Sequence, residues 1–378
     1  MPANKSHHFV PRFYLRLFST DPKKLSINLF NMKRERVVLN AALKHQCARD
    51  YLYGKEGDNE SRLSTLEGAA AQVFERMIAT QELPTLFTKA YFDLFIFTYT
   101  QYIRTGKAVD RMQDAASSFA KYLLSKQLPG EPIDKLTIGL RNPGAFFLEI
   151  GQRFFGLLLD LESRLLVAAP GTEFVASDNP AVFYNQLMEF DTVGSNTGAA
   201  SRGLQIFFPV SPGLMLMFFD PAVYVVGARR EVTYQVRERS DMLALNTLQL
   251  VAAQENVYFA SGQSNLYQAN EASRRYRRAD LNRYHYGPEV DRPDGKTTQK
   301  FMFSGVETKT QLNLTFVRIQ KPAKKWREDY RRLPAAARRL PRNADFVAAH
   351  DLAADDVQHD RISFADLLTR LFPYFFKR

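Results

Sequence analysis

Two adjacent histidines near the N-terminus are the residues of this sequence best suited to acid–base chemistry. His7 and His8 open the segment HHFVPRFYLRLF, which ends at Phe18. An imidazole titrates near neutrality and can therefore take up or release a proton during a reaction. The segment also carries Arg12 and Arg16, and guanidinium groups are suited to hold the negative charge of a phosphate. Because many apolar side chains accompany these groups, we expect the whole segment, including both histidines and both arginines, to be buried.

Polar side chains that could meet these groups occur in three later segments. Gln101 and Arg104 lie three residues apart on a nearly wholly apolar helix, and Glu67 lies near the apolar stripe of the preceding helix. Asp178 and Asn179 end a strand just before a proline, a common position for site residues. A buried arginine needs a carboxylate or an anionic ligand. The predicted catalytic residues are therefore His7, His8, Arg12, Glu67, Gln101, Arg104, Asp178 and Asn179.

Each of these later segments also has a purely structural alternative. Arg104 and Glu67 could form an ion pair that only stabilises the fold. The Asp-Asn-Pro segment could cap a turn, because Asp and Asn side chains bond their own backbone. Asn246 and Gln249, three residues apart on a later apolar helix, are expected to form hydrogen bonds within the fold.

A divalent metal ion is one route to phosphodiester hydrolysis. Either histidine, together with Glu67 and Asp178, could supply imidazole and carboxylate ligands to an ion that activates water. The sequence has no His-x-x-x-His or Asp-x-Asp spacing, so all the ligands would come from distant segments. The need for a cofactor is therefore left open, and no metal ligands are assigned.

Metal-free cleavage of RNA is the preferred hypothesis. A histidine would move the proton of a 2′-hydroxyl, and Arg12 and Arg104 would stabilise the charge that develops on the phosphate. Gln101, Asp178 and Asn179 would orient the substrate. The chain has neither a Gly-x-x-x-x-Gly-Lys-Ser/Thr loop nor a Gly-x-Ser-x-Gly elbow, which disfavours a P-loop nucleotidase and an α/β-hydrolase.

Positive charge is concentrated in the C-terminal part of the 378-residue chain. Residues 261 to 378 hold 23 basic and 14 acidic side chains, which supplies +9 of the net charge of +11. This asymmetry favours a polyanionic partner, nucleic acid before a membrane surface, although a solvated charged face is the alternative. Aromatic residues interleaved with the basic ones suit backbone contact and base stacking. The predicted nucleic-acid-binding residues are Arg274, Arg275, Arg277, Arg278, Lys324, Lys325, Arg327, Arg331 and Arg332.

Cysteine content and hydropathy favour an intracellular setting. The single cysteine, Cys47, excludes an internal disulfide framework and a multi-thiolate zinc site. His45 lies two residues away, which is poor geometry for a nucleophile and its base. No apolar run reaches about 18 residues, and the N-terminus lacks a signal-peptide pattern. We expect a soluble, cytoplasmic protein with no membrane partner.

The order of predicted elements indicates the fold class. Helical periodicity predicts helices near residues 60–80, 84–107, 110–127, 143–161, 240–254, 263–282 and 363–376. Short β-rich runs predict strands at 25–31, at 35–39, several between 164 and 227, one at 256–261 and a hairpin within 300–319. This order predicts an α+β fold, with an N-terminal helical half packed on a mainly antiparallel sheet and a basic C-terminal extension. The predicted domains are a core over residues 1–261 that carries the site, and an extension or small subdomain over 262–378 docked on it.

The same motifs, taken in order, resemble a bacterial family known as domain of unknown function 4238. The resemblance rests on HHFVPRFYL at the start, QYIRT in the middle and SDNP later, and it covers about residues 5 to 261. It implies which positions form a site and implies no activity. The basic segment beyond residue 261 lies outside the shared pattern.

Together these observations predict a ribonuclease-like hydrolase that acts on nucleic acid, with RNA as the favoured partner. The alternative is a non-catalytic protein that binds nucleic acid or a nucleotide signal. The bacterial setting of the family suggests a role in phage defence or in a toxin system. A protein partner and the oligomeric state are left open.

Overall fold

The structure is a computed structural model that combines helices with largely antiparallel sheets, which confirms the predicted α+β class. It describes residues 5–55, 58–190, 196–228, 231–261, 263–277, 283–291, 297–304, 310–333, 341–358 and 364–375. None of the helices in these stretches is both long and apolar enough to cross a membrane.

The elements of the described residues are numbered in chain order. The helices are α1 (Arg12–Arg16), α2 (Asp58–Thr80), α3 (Lys89–Ile103), α4 (Gly106–Gln127), α5 (Pro143–Gln152), α6 (Arg239–Ala252), α7 (Gln263–Arg274), α8 (Lys321–Arg332), α9 (Ala344–Gln358) and α10 (Phe364–Phe375). The strands are β1 (Ser6–His8), β2 (Ser26–Asn31), β3 (Arg36–Ala42), β4 (Ala48–Asp50), β5 (Glu162–Ala168), β6 (Ala176–Ser177), β7 (Val182–Tyr184), β8 (Gln205–Ser211), β9 (Leu214–Phe219), β10 (Tyr224–Val226), β11 (Thr233–Val236), β12 (Asn256–Phe259), β13 (Arg283–Asp291), β14 (Thr297–Ser304) and β15 (Val317–Ile319).

A five-stranded sheet in the order β11-β5-β9-β8-β7 is buried on both faces. It is antiparallel except for the pair β11–β5. Because side chains alternate along a strand, Phe208 and Phe218 join one apolar cluster while Phe207 and Met217 join another. On the first face the Phe95 ring of α3 lies 4.5 Å from the ring of Phe218. The N-terminal helices therefore pack on this sheet, as the sequence predicts.

A second, four-stranded sheet in the order β3-β2-β12-β6 leads to the Asp-Asn-Pro segment. Its short edge strand β6 is held by two side chains of α6. The Gln249 side-chain oxygen accepts from the backbone N–H and the hydroxyl of Ser177 at 3.1 and 2.9 Å. The Asn246 amide accepts from the N–H of Val175 at 3.1 Å and donates to the carbonyl of Glu173 at 2.9 Å. Asn246 and Gln249 thus have the hydrogen-bonding role expected of them.

The basic C-terminal part contacts the rest of the chain through a strand, apolar side chains and one buried ion pair. Strand β15 pairs with β10, and Tyr330 of α8 lies in the same apolar cluster as Leu187. Arg342 is buried, and its guanidinium lies 2.6 Å from the carboxylate of Asp160. These contacts involve part of the predicted extension over residues 262–378. Its docking as one unit and the division into two domains stay predictions.

Several predicted boundaries differ from those in the structure. Helix α3 begins at Lys89 rather than near residue 84, because Thr88 caps it by accepting the backbone N–H of Tyr91. Thr105 caps α4 in the same way, so that helix begins before the predicted residue 110. Helices α5 and α7 end earlier than predicted, and the sequence pattern does not predict α1, α8 or α9. The predicted hairpin is wrong, because β14 pairs with β13 and β15 pairs with β10.

Candidate functional site

The two histidines lie side by side on strand β1 but face different surroundings. In the antiparallel pair with β4, His7 is opposite Arg49 and His8 is opposite Ala48. Successive side chains of a strand point to opposite faces. His7 is accordingly buried and His8 half-buried. The structure therefore separates the two imidazoles instead of bringing both into one cleft.

The imidazole of His7 is held in a buried stack. Its Nδ1 accepts the backbone N–H of Tyr53 at 3.2 Å, and its ring stacks on the Tyr53 ring with centroids 5.7 Å apart. A neutral imidazole that accepts at Nδ1 carries its proton on Nε2. That Nε2 lies 3.6 Å from the Glu60 carboxylate. Neutral His7 therefore has no free lone pair with which to act as a base.

The imidazole of His8 has the opposite arrangement. Its Nδ1 lies 3.0 Å from the backbone carbonyl of Gln46. A carbonyl only accepts, so this contact fixes the proton on Nδ1 and leaves the Nε2 lone pair free. Burial lowers the pKa of His8, and the positive charges of Arg12 and Arg104 lower it further. His8 is thus held neutral, in the tautomer that a general base at Nε2 requires.

Arg104 lies at the centre of a buried polar cluster. Its Nη1 is 2.8 Å from the Glu67 carboxylate, and its Nη2 donates to the backbone carbonyl of His8 at 2.6 Å. Its Nε donates to the Tyr53 hydroxyl at 3.3 Å, and that hydroxyl donates to the Arg104 carbonyl at 2.8 Å. All three guanidinium nitrogens are engaged. The ion pair between Arg104 and Glu67, foreseen as the structural alternative, is therefore present.

Asp178 uses its carboxylate to hold the backbone that follows α6. The two oxygens accept the backbone N–H groups of Gln254, Glu255 and Asn256 at 2.8, 2.6 and 3.0 Å. Burial raises the pKa of Asp178, and these three hydrogen bonds oppose that shift. The turn-capping alternative thus describes its contacts, and a role in orienting substrate stays a prediction.

Asn179 connects this turn to the start of α4. Its side-chain oxygen accepts the hydroxyl of Thr105 at 2.8 Å, and its amide donates to the carbonyl of Ala252 at 3.4 Å. The ammonium of Lys107 donates to the same carbonyl at 3.2 Å. Since Thr105 directly follows Arg104, the chain joins the arginine cluster to the Asp-Asn-Pro turn.

Gln101 lies one turn before Arg104 on α3 and is fully buried. Neither the oxygen nor the nitrogen of its side chain forms a hydrogen bond with any of the residues that the structure describes. Buried amides usually have such partners. Its predicted role in orienting a substrate stays a prediction.

Arg12 and Arg16 face the solvent, so the expectation that they are buried is wrong. They lie four residues apart on α1 and share its outer face, while Tyr14 and Leu15 between them are buried. Arg12 forms no hydrogen bond or ion pair with another described residue, and its charge reaches His8. Among the predicted catalytic residues, Arg12 is thus exposed, and His8, Glu67 and Asn179 are half-buried.

Three residues of the site have no clear signal in the sequence. Gln46 contributes through its backbone carbonyl, which no sequence pattern indicates. Tyr53 comes from a turn-rich segment and stacks on His7. Glu60 lies seven residues before Glu67 and shares a face of α2 with it. This spacing is the signal by which the sequence indicates a second carboxylate near the histidines.

Cys47 is not poised as a nucleophile. It is buried, and its Sγ lies 3.2 Å from the hydroxyl of Tyr258. Burial raises the pKa of the Cys47 thiol well above its usual value. Since the thiolate is the reactive form, this cysteine is part of the core.

The residues considered above as possible metal ligands have separate partners. His7 faces Glu60, Glu67 pairs with Arg104, and Asp178 binds backbone amides. Within the described stretches, no three side chains of histidine, cysteine, aspartate or glutamate are grouped so as to hold a metal ion.

The basic residues around the end of α7 are largely paired. Arg274 lies 2.6 Å and Arg277 3.8 Å from the carboxylate of Glu35. The guanidinium of Arg275 lies over the ring of the following tyrosine, 4.8 Å from its centroid. Arg278 lies outside the described residues.

Helix α8 presents a more exposed basic surface. Arg327 is half-buried and donates to the carbonyl of Leu187 at 3.2 Å. The other four predicted residues of this helix are exposed: Lys324, Lys325, Arg331 and Arg332.

The fold and the site together define an α+β protein whose histidine strand is fixed to a buried Arg–Glu pair. A family model described as "Protein of unknown function (DUF4238)" matches residues 6–263, which is more than half of the chain. The protein therefore belongs to this family, as the resemblance in its motifs implies. Comparison with curated proteins and comparison with solved structures gave no match.

Proposed function

We propose that the protein is a ribonuclease-like hydrolase in which His8 is the general base and Arg12 binds the phosphate. The observation that carries the proposal is the contact of His8 Nδ1 with the Gln46 carbonyl, which leaves Nε2 free. The lowered pKa of His8 keeps this nitrogen unprotonated near neutrality. Arg12 adds an exposed guanidinium without a partner among the described residues.

The proposed reaction uses the 2′-hydroxyl of RNA as the nucleophile. Nε2 of His8 takes the 2′-hydroxyl proton while the 2′-oxygen forms a bond to phosphorus. The bond from phosphorus to the 5′-oxygen breaks, the leaving 5′-oxygen takes a proton from solvent, and protonated His8 returns its proton to solvent. The guanidinium of Arg12 stabilises the charge on the non-bridging oxygens. The products are a 2′,3′-cyclic phosphate and a free 5′-hydroxyl.

Arg104 supports this reaction as a positioning residue. It donates to the backbone carbonyl of His8, and Glu67 neutralises its charge. This arrangement fixes the strand that carries His8, and the hydroxyl of Thr105, the residue after Arg104, donates to Asn179 of the Asp-Asn-Pro turn. We further propose that the protein acts in the cytoplasm and that the exposed basic residues of α8 attract the RNA.

Incubation of the purified protein with labelled RNA and DNA, with and without EDTA, tests this proposal. We expect RNA, and not DNA, to be cleaved whether or not EDTA is present. The RNA fragments should carry 2′,3′-cyclic phosphate ends. The His8→Ala variant should lose the activity, and the His45→Ala variant, which removes an exposed imidazole from a nearby turn, should keep it. Salt-sensitive binding of RNA without cleavage would instead support the non-catalytic alternative.

A further inference from the structure

A cavity of about 440 Å³ lies between the N-terminal ends of α2 and α5. This volume is within the range of roughly 300–1,000 Å³ that small-molecule sites occupy. Its lining combines two arginines, two asparagines, one aromatic ring and one carboxylate: Arg62, Arg141, Asn59, Asn142, Phe146 and Glu149. Such a mixture of cationic, amide and aromatic groups suits a ligand with a charged end and a flat polar ring.

The three charged groups of this cavity have no polar partners among the residues that the structure describes. Arg62, Arg141 and Glu149 are all exposed, and none forms an ion pair or hydrogen bond with another described residue. Glu149 is the only carboxylate among the described residues of the lining, and these residues together carry a net positive charge. A pair of free guanidinium groups in one cavity is an arrangement that binds phosphate oxygens.

The uncharged groups add a stacking surface and amides. Phe146 is 40% exposed, so a ligand can reach its ring, and it lies one turn from Glu149 on the same face of α5. Asn142 is exposed and precedes α5, and its side chain does not cap that helix. Asn59 is held by a 3.5 Å contact with the carbonyl of Tyr53, which connects the cavity to the stack on His7.

We propose that this cavity binds a guanine nucleotide, either free or as one residue of an RNA strand. The base stacks on Phe146, and Arg62 and Arg141 bind its phosphate. A carboxylate accepts hydrogen bonds only, and guanine presents two adjacent donors, N1–H and the N2 amino group, to Glu149. Adenine and cytosine each place an acceptor beside their amino group, and uracil has one donor between two carbonyls, so Glu149 selects guanine.

This binding site goes beyond the proposed ribonuclease and does not depend on it. His8, which carries that proposal, lies on the face of β1 opposite the one that His7 presents to α2. Nucleotide binding can therefore be measured directly, and its absence leaves the cleavage assay unaffected.

Isothermal titration of the full chain with GMP, AMP and inorganic phosphate tests the proposal. We expect saturable binding of GMP that is tighter than binding of AMP or phosphate. The Arg62→Ala and Arg141→Ala variants should each weaken GMP binding by about 10- to 100-fold, the loss of one charge-assisted hydrogen bond. The Glu149→Gln variant should abolish the preference for GMP over AMP and retain binding of phosphate.

The Arg76→Ala variant is the matched control, because Arg76 is exposed on the same helix as Arg62 but lies fourteen residues further along. It should bind GMP as the wild type does. Titration with a trinucleotide that has a central guanine distinguishes an RNA strand from a free nucleotide. Binding tighter than that of GMP indicates an RNA strand, and equal or weaker binding indicates a free nucleotide. Absence of saturable GMP binding, equal affinity for AMP, or an equal loss in Arg76→Ala would each overturn the proposal.

Discussion

Replacement of Glu67 by glutamine tests whether Arg104 is a structural cation or a group available to an anionic ligand. Arg104 is 2% exposed, and its guanidinium lies 2.8 Å from the Glu67 carboxylate. In the Glu67→Gln variant the amide keeps nearly the same shape and can still accept one hydrogen bond. The variant therefore removes the negative charge and little else, and it leaves a buried positive charge without its counter-ion.

The expected loss of stability follows from that charge. Two unit charges about 4 Å apart attract each other by about 4 kcal/mol at an effective dielectric constant of about 20. The remaining hydrogen bond to the amide returns about 1 kcal/mol. The Glu67 side chain is 27% exposed, so solvent screens part of the interaction. We therefore expect the free energy of unfolding to fall by about 2–3 kcal/mol, in line with the loss of one partner of a partly buried pair.

Urea denaturation followed by circular dichroism measures this loss. The Glu75→Gln variant is the control, because Glu75 is exposed on the same helix and has no ion-pair partner among the described residues. Its stability should stay within about 0.5 kcal/mol of the wild type. If Glu67→Gln behaves like Glu75→Gln, the charge of Glu67 does not stabilise buried Arg104 and the structural account of this cluster is refuted.

Three further predictions concern the charge of Arg12 beside His8, the Asp-Asn-Pro turn and helix α8. The Arg12→Gln variant should raise the pKa of His8, because the positive charge that disfavours its protonation is removed. In an NMR titration the midpoint of the His8 imidazole signals should move to higher pH. The Asp178→Ala variant should lower the free energy of unfolding in urea by about 3–5 kcal/mol, because three backbone N–H groups lose their acceptor. The Lys324→Ala/Lys325→Ala double variant should reduce the slope of log affinity for RNA against log salt by about 1–2.

Each of these predictions has an outcome that contradicts it. An unchanged titration of His8 in Arg12→Gln would show that the two side chains do not interact. Wild-type stability of Asp178→Ala would mean that its three hydrogen bonds contribute little to the fold. For the basic helix, Lys33→Ala/Arg34→Ala removes two exposed charges from another part of the chain, and an equal change of slope in both double variants would argue against a specific surface on α8.

The long helices could be predicted because their apolar residues repeat with helical spacing. Helix α2 is the clearest case, since its stripe runs without a break to Thr80. The spacing also predicts a break between α3 and α4 but places it at residues 107–110, a few residues too late. The position of the break is set by Thr105, whose hydroxyl accepts the backbone N–H of Ala108 and caps α4.

The candidate site was predictable in its residue types more than in its contacts. A buried arginine requires a carboxylate, so the pairing of Arg104 with Glu67 could be foreseen from the two apolar helices. The separation of His7 from His8 follows from the alternation of a strand, but β1 has only three residues and gives no periodic signal. The tautomer of His8 depends on a backbone carbonyl 38 residues away in the chain, which no sequence pattern encodes.

The pH dependence of RNA cleavage is the measurement that tests the role of His8 most directly. In the wild type the rate should rise with pH to a plateau, with an apparent pKa below the value of about 6.5 for a free histidine. In the His8→Ala variant the plateau should fall by about 10²- to 10⁴-fold, the usual contribution of a general base, and the rise should disappear. A His8→Ala protein that cleaves RNA at the wild-type rate with the same pH profile would contradict the account.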